Sequence, residues 1–159
     1  MQKIDAILNH PLYLAHMAKN AESELNRQFC KHDLTHALDV ARIMQLMNLE
    51  QSLSLEKPLL YAAALLHDIT KWQQYKEKTP HNETAVIPAT MILQEVGFLQ
   101  EDIALITHAI YHHRRGTGNT CPYAKILFEA DKKSRNCFSC TAGDTCTRSN
   151  TLKNLTLQY

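Results

Sequence analysis

Two ionisable residues, His67 and Asp68, directly follow an unbroken apolar run at residues 59–66. A folded chain buries such a run, so the imidazole and the carboxylate that continue it enter the interior as well. A buried carboxylate without a partner is costly unless a cation neutralises it. The pair therefore predicts an internal metal site, of the kind that helical bundles build from side chains on facing helices.

Apolar residues recur at helical spacing along almost the whole chain, and the four glycines and five prolines fall near the ends of these patterns. The spacing predicts an all-α fold, a single-domain bundle of about six helices with the metal site in its core. Asp33 is suited to cap one helix, and Gly97 is suited to end another. The predicted helices cover residues 11–27, 33–47, 58–68, 83–96, 101–113 and 123–134.

Charge and hydropathy exclude several classes of partner. The 159 residues carry a net charge of +1 and are 45% hydrophobic, which is enough for one core but gives no electrostatic reason to bind duplex nucleic acid or an anionic membrane. No apolar run approaches the roughly 20 residues of a membrane span, and the N-terminus lacks the apolar segment of a signal peptide. We expect a cytoplasmic protein with a small substrate, and the oligomeric state stays open.

Two more residues complete an ordered set with the first pair. His36 precedes it and Asp131 follows it, each in an apolar helical context, so the order is H, HD, D. In these four elements, over about residues 30–135, the chain resembles the HD-domain superfamily of metal-dependent phosphohydrolases. The resemblance implies that His36, His67, Asp68 and Asp131 bind metal and that Asp68 is also catalytic. Mixed imidazole and carboxylate ligands suit Fe, Mn, Zn, Ni or Co, as one or two ions.

Binuclear members of that superfamily carry additional histidine ligands, and His81 and His112 fall where those ligands are expected. His108 and His112 are four residues apart and share a helical face, whereas His113 points about 100° away, so His112 is favoured. The spacing does not decide among the three. His108, His113 and His32 stay open as further metal or substrate ligands.

Basic residues near these positions are candidates for phosphate binding. Lys71 lies three residues after Asp68, where the resemblance places a phosphate-binding lysine, and Arg114 and Arg115 follow His113. Solvated surface charge is the alternative for all three.

Four of the five cysteines form a second set of candidate metal ligands, Cys121, Cys137, Cys140 and Cys146. They could bind structural zinc or an iron–sulfur cluster, or be plain reduced thiols. Their spacing fits no standard zinc finger.

The sequence thus predicts a helical cover at 1–29, an HD-type core at 30–135 and a Cys-rich extension of the same structural domain at 136–159. The resemblance implies hydrolysis of a phosphoester or phosphoanhydride in a nucleotide or another small phosphorylated metabolite, by metal-activated water. A diiron oxygenase and a non-catalytic, metal-stabilised nucleotide-sensing module are the alternatives.

Overall fold

The computed structural model describes residues 1–114 and 120–159, and in these ranges the chain forms nine α-helices and no β-strand. The all-α prediction is confirmed. In chain order the helices are α1 (Gln2–Leu8), α2 (Pro11–Ser23), α3 (Leu34–Glu50), α4 (Lys57–Leu66), α5 (Lys71–Glu77), α6 (His81–Thr84), α7 (Val86–Val96), α8 (Gln100–His112) and α9 (Pro122–Lys133). Two short 3-10 turns follow, Cys137–Ser139 and Asn150–Leu152.

The centre of the bundle consists of α3, α4, α8 and α9. Helix α3 packs against α4 and α9, and α8 packs against α4, α7 and α9. Helix α4 is enclosed nearly all round, because each residue from Leu59 to Leu66 except Tyr61 is buried. Its C-terminal end, where the ionisable pair begins, is therefore held inside the bundle.

The predicted helix ends at Asp33 and Gly97 are confirmed. The Asp33 side chain accepts a hydrogen bond of 3.0 Å from the backbone N–H of His36, which fixes the first turn of α3. Gly97 ends α7 with a φ of +85°, a left-handed conformation that glycine adopts without strain.

The predicted helix 58–68 was too long, and a side chain explains where it breaks. Helix α4 ends at Leu66, and α5 begins at Lys71. Asn20 of α2 donates to the carbonyl of Asp68 at 2.9 Å and accepts from the N–H of Trp72 at 2.9 Å. These are the two backbone groups that a continuous helix would join, so the inserted amide replaces that bond and turns the chain. His67 and Asp68 consequently lie in a bend between two helices.

The described helices outnumber the six predicted, because short pieces flank the long ones. Helix α1 was not predicted, α2 stops at Ser23 rather than at residue 27, and the predicted helix 83–96 is preceded and partly replaced by α6. Within the described ranges, none of the helices combines the length and the apolar character that a membrane span needs.

Candidate metal centre

Six side chains from five parts of the fold meet between the central helices. His36 comes from α3, His81 is the first residue of α6, and His113 directly follows α8. The others are His67 and Asp68 from the α4–α5 bend and Asp131 from α9. Five of the six residues are buried, and the side chain of His36 is only 9% exposed.

These side chains form two groups whose ligand atoms lie within 4.8 Å of one another: His36, His67, Asp68 and Asp131, and Asp68, His81 and His113. Ligands bound at about 2.1 Å to one ion lie roughly 3 to 4 Å apart, so both groups are compact enough to hold a cation. Asp68 belongs to both.

The two carboxylate oxygens of Asp68 face different groups. Its Oδ2 lies 3.0 Å from His67 Nε2 and 3.6 Å from His36 Nε2. Its Oδ1 lies 2.8 Å from His81 Nε2 and 3.9 Å from His113 Nε2. A carboxylate in this orientation can bridge two ions.

The four imidazoles share one orientation. Each has its Nδ1 against an oxygen atom, so in the neutral imidazole Nδ1 carries the proton and Nε2 can present its lone pair to the centre. The acceptors are Ala64 O for His67 (2.7 Å), Ile110 O for His113 (2.6 Å), Gln74 Oε1 for His81 (2.5 Å) and Ser134 Oγ for His36 (3.3 Å). Ser134 Oγ can accept because its own hydrogen is donated to the carbonyl of Asp131.

Three atoms at the centre are buried without a hydrogen-bond partner among the described residues. They are His36 Nε2, His67 Nε2 and Asp68 Oδ1. Native proteins leave few buried polar groups unsatisfied. A divalent cation between these lone pairs would satisfy all three, so the donor set fits a metal.

Electrostatics keep both carboxylates ionised. Burial alone would raise the pKa of Asp68, but the imidazoles around it, His67 and His32 foremost, hold that pKa well below its usual value. Burial opposes ionisation of Asp131 too, and Arg135, His36 and Lys132 hold its pKa well below the usual value.

Two of the histidines differ sharply in protonation. Burial and neighbouring imidazoles lower the pKa of His113 to about 3, so it is neutral at pH 7. Burial also disfavours the charged form of His36, yet Asp131 and Asp68 raise its pKa to about 9. A metal that binds His36 at neutral pH must therefore displace a proton from it.

At the end of α8 the structure brings His113, rather than the favoured His112, into the second group. The buried residues Ile103, Ile106 and Ile110 form one stripe of α8, and His113 continues it at helical spacing. His112 lies beside this stripe, with its ring 4.4 Å from that of His108. The second group does not include His108 either.

His32 lies next to the centre but belongs to neither group. It is buried, its Nδ1 donates to Glu24 Oε1 at 2.5 Å, and its Nε2 lies 3.8 Å from Asp68 Oδ2. The hydroxyl of Tyr75 also donates to Glu24 Oε1, at 2.5 Å. His32 therefore has the same orientation as the four histidines of the centre.

The predicted phosphate-binding residues occupy different positions. Lys71 Nζ lies 3.3 Å from His81 Nδ1 and lines a cavity of about 520 Å³. Arg114 is exposed and lines a separate surface cavity with Gln74 and Lys78. Arg115 lies outside the described residues.

The cysteines do not assemble into a metal site among the described residues, where no group of three or more potential ligands includes a thiol. Cys121 precedes α9, whereas Cys137 and Cys146 line the 520 Å³ cavity and Cys137 and Cys140 line an adjoining one. The Cys-rich extension thus lies beside the centre.

Several supporting residues were not found from the sequence. Asn20 and Tyr75 act through contacts with residues 48 and 51 positions away, Asp68 and Glu24. Glu24, Gln74 and Arg135 contact residues only four to eight positions away, His32, His81 and Asp131, but the sequence did not single these pairs out. For His113 a signal existed, since it lies three residues after Ile110 and seven after Ile106.

Comparison with known proteins agrees with this geometry. The HD domain family model matches residues 33–136. The chain is 39% identical over 159 residues to a Clostridium beijerinckii (strain ATCC 51743 / NCIMB 8052) protein described as "Uncharacterized protein", and the match covers 100% of both chains. No solved structure matches the chain significantly.

The chain therefore belongs to the HD domain family, which is a family of metal-dependent hydrolases. The matched range includes all six residues of the two groups. Glu24 and His32 lie before the matched range, and the Cys-rich extension follows it.

Proposed function

We propose that the protein is a metal-dependent phosphohydrolase that acts on a nucleotide or another small phosphorylated metabolite. The observation that carries this proposal is the position of the two metal-binding groups. They lie beside the 520 Å³ cavity, whose described lining includes Lys71 and three arginines but no carboxylate. A cationic cavity at a metal centre favours phosphate groups.

The two groups define which residues would hold each ion. His36, His67, Asp68 and Asp131 would hold one, and Asp68, His81 and His113 the other. A pair of divalent ions supplies Lewis-acid polarisation of the phosphoryl group and lowers the pKa of a bound water. Asp68 would contribute to both ion sites, because its Oδ2 faces the first group and its Oδ1 faces the second.

Lys71 is the residue that we assign to phosphate binding at the centre. Its Nζ lies 3.3 Å from His81 Nδ1 and at the wall of the cavity, where it can bind a phosphate group of a ligand in that cavity. Burial lowers the pKa of Lys71, whereas the Asp68 carboxylate favours its charged form. No carboxylate among the described residues lies within 4 Å of Nζ to compete for it.

His32 is placed to move a proton. Burial lowers its pKa to about 4, so Nε2 is unprotonated at neutral pH and can accept a proton from the attacking water. Glu24 then stabilises the imidazolium through Nδ1. Burial opposes ionisation of Glu24, but hydrogen bonds from His32 and Tyr75 lower its pKa to about 2 and keep it a carboxylate.

The test is phosphate release from a panel of nucleotides and sugar phosphates, with Mn, Fe, Co, Ni or Mg supplied separately. We expect release from at least one phosphorylated compound with a transition metal, and loss of release on chelation. Metal binding without release from any compound would contradict the proposal. Oxygen consumption by the iron-loaded protein in that case would support the diiron oxygenase alternative.

A further inference from the structure

The 520 Å³ cavity, called here the basic cavity, has walls from four separate parts of the chain. Arg27 and His32 come from the segment between α2 and α3, Lys71 from α5, and Arg135 from the end of α9. The fourth wall is the Cys-rich extension, which contributes Arg148. The whole chain has 17 Lys and Arg residues against 16 Asp and Glu, so four cations without a carboxylate in one described lining are a local concentration of charge.

Two of these arginines have buried N–H groups without a hydrogen-bond partner among the described residues: Arg135 Nε and Arg148 Nη1. Arg135 is 9% exposed, and its Nη2 donates to Asp131 Oδ1 at 2.7 Å, so this side chain links the cavity to the metal centre. No carboxylate among the described residues lies within 4 Å of Arg148. Buried guanidinium N–H groups are costly unless an acceptor satisfies them.

Arg27 is held in place by neutral partners. Its Nε donates to the carbonyl of Cys30 at 2.9 Å, and its guanidinium lies 5.6 Å from the ring centre of Phe29 and 5.3 Å from that of Tyr75. Glu24 Oε1 lies 4.0 Å from Arg27 Nε and already accepts hydrogen bonds from His32 and Tyr75. Most of the Arg27 donors therefore stay available to a ligand.

We infer that Arg148, together with Arg27 and Arg135, forms a second anion-binding subsite in the basic cavity, and that the substrate carries a second phosphate group besides the one that is cleaved. This inference rests on the proposed function for the position of the first phosphate, at Lys71 and the metal centre. A cavity of about 520 Å³ lies within the range of small-molecule sites and is far larger than one phosphate group needs. Planar guanidinium groups match the oxygen spacing of phosphate, so the three arginines that line the cavity can bind a second phosphate group through the N–H groups that face it.

The inference is tested by calorimetric binding to the metal-loaded full-length protein, with adenosine 5′-monophosphate and adenosine 3′,5′-bisphosphate as the probes. We expect the wild-type protein to bind the bisphosphate at least about tenfold more tightly. Arg148→Met should weaken bisphosphate binding by about 10- to 100-fold, the usual range for a lost hydrogen bond to a charged group, and should change monophosphate binding by less than about twofold. Arg148→Lys, which keeps the charge but not the planar donor pair, should give an intermediate loss.

Arg42→Met is the matched control, because Arg42 is exposed on α3 and pairs with Asp39 at 3.3 Å. It should leave binding of both probes unchanged. Equal affinity of the wild-type protein for the two probes would overturn the inference, and so would equal loss of both probes in Arg148→Met. The midpoint of thermal unfolding of each variant separates a folding defect from a binding defect. If Arg148→Met unfolds, the affinities of Arg148→Lys for the two probes are used instead.

The two proposals can fail separately. A bisphosphate preference that depends on Arg148, found together with no phosphate release from any compound, supports the subsite and contradicts the phosphohydrolase. Phosphate release with no effect of Arg148→Met on the preference supports the phosphohydrolase and overturns the subsite.

Discussion

Replacing Asp68 with alanine is expected to reduce phosphate release by about 1000-fold or more and to remove both metal ions. Asp68 is the one described residue that belongs to both ligand groups, and its two oxygens face different sets of histidines. Metal ions contribute several kcal/mol of transition-state stabilisation, and each 1.36 kcal/mol is a factor of ten in rate. Steady-state phosphate release and metal content, measured on the same preparation, check this result.

The control for Asp68→Ala is Asp5→Ala, which removes an exposed carboxylate on α1. It should keep full metal content and activity. Circular dichroism of both variants shows whether the helical fold is retained. Two bound ions in a folded Asp68→Ala protein would contradict the bridging role of this carboxylate.

Replacing His113 with alanine is expected to lower the metal content by about one ion, and activity should fall on the order of 100-fold. His113 Nε2 faces His81 Nε2 at 3.0 Å and Asp68 Oδ1 at 3.9 Å, so the second group keeps only two ligands without it. The first group does not contain His113 and should retain its ion. Metal titration by calorimetry resolves the two binding events.

His112, which directly precedes His113, provides the matched control variant. His112→Ala should leave both ions bound and change activity by less than about threefold, because His112 lies beside the buried stripe of α8 and outside both groups. The opposite pattern, with an ion lost from His112→Ala and both retained in His113→Ala, would show that the histidine favoured from sequence is the ligand.

The fold class could be predicted because helical periodicity and helix-end residues are local signals. Asp33 and Gly97 marked helix ends correctly, since capping depends on residues a few positions away. The break after Leu66 could not be predicted. It depends on Asn20, whose amide reaches the backbone of Asp68 from a helix 48 residues earlier in the chain.

The two groups of metal-binding residues also include some that the sequence predicted and one that it left undecided. The ordered set of His36, His67, Asp68 and Asp131 could be predicted, because each interrupts an apolar helical pattern, and the structure brings all four together. The resemblance and the spacing favoured His112 without deciding between it and His113, and the structure places His113 in the second group. The buried stripe of Ile106 and Ile110 was the better guide.

The basic cavity was beyond prediction from sequence. The four basic residues of this cavity are far apart in the sequence. More than 120 positions separate Arg27 from Arg148, and Lys71 and Arg135 lie between them. A net charge of +1 gave no indication that four of the cations would share one lining. The cavity forms where the extension, α5, the segment after α2 and Arg135 come together in the fold.

The most direct test of the two-ion centre is the metal content of the wild-type protein, measured by elemental analysis after purification and after separate reconstitution with Mn, Fe, Co, Ni and Zn. Two compact ligand groups that share Asp68 predict about two equivalents per chain for at least one metal. No more than one equivalent with any of them would contradict a centre built from both groups.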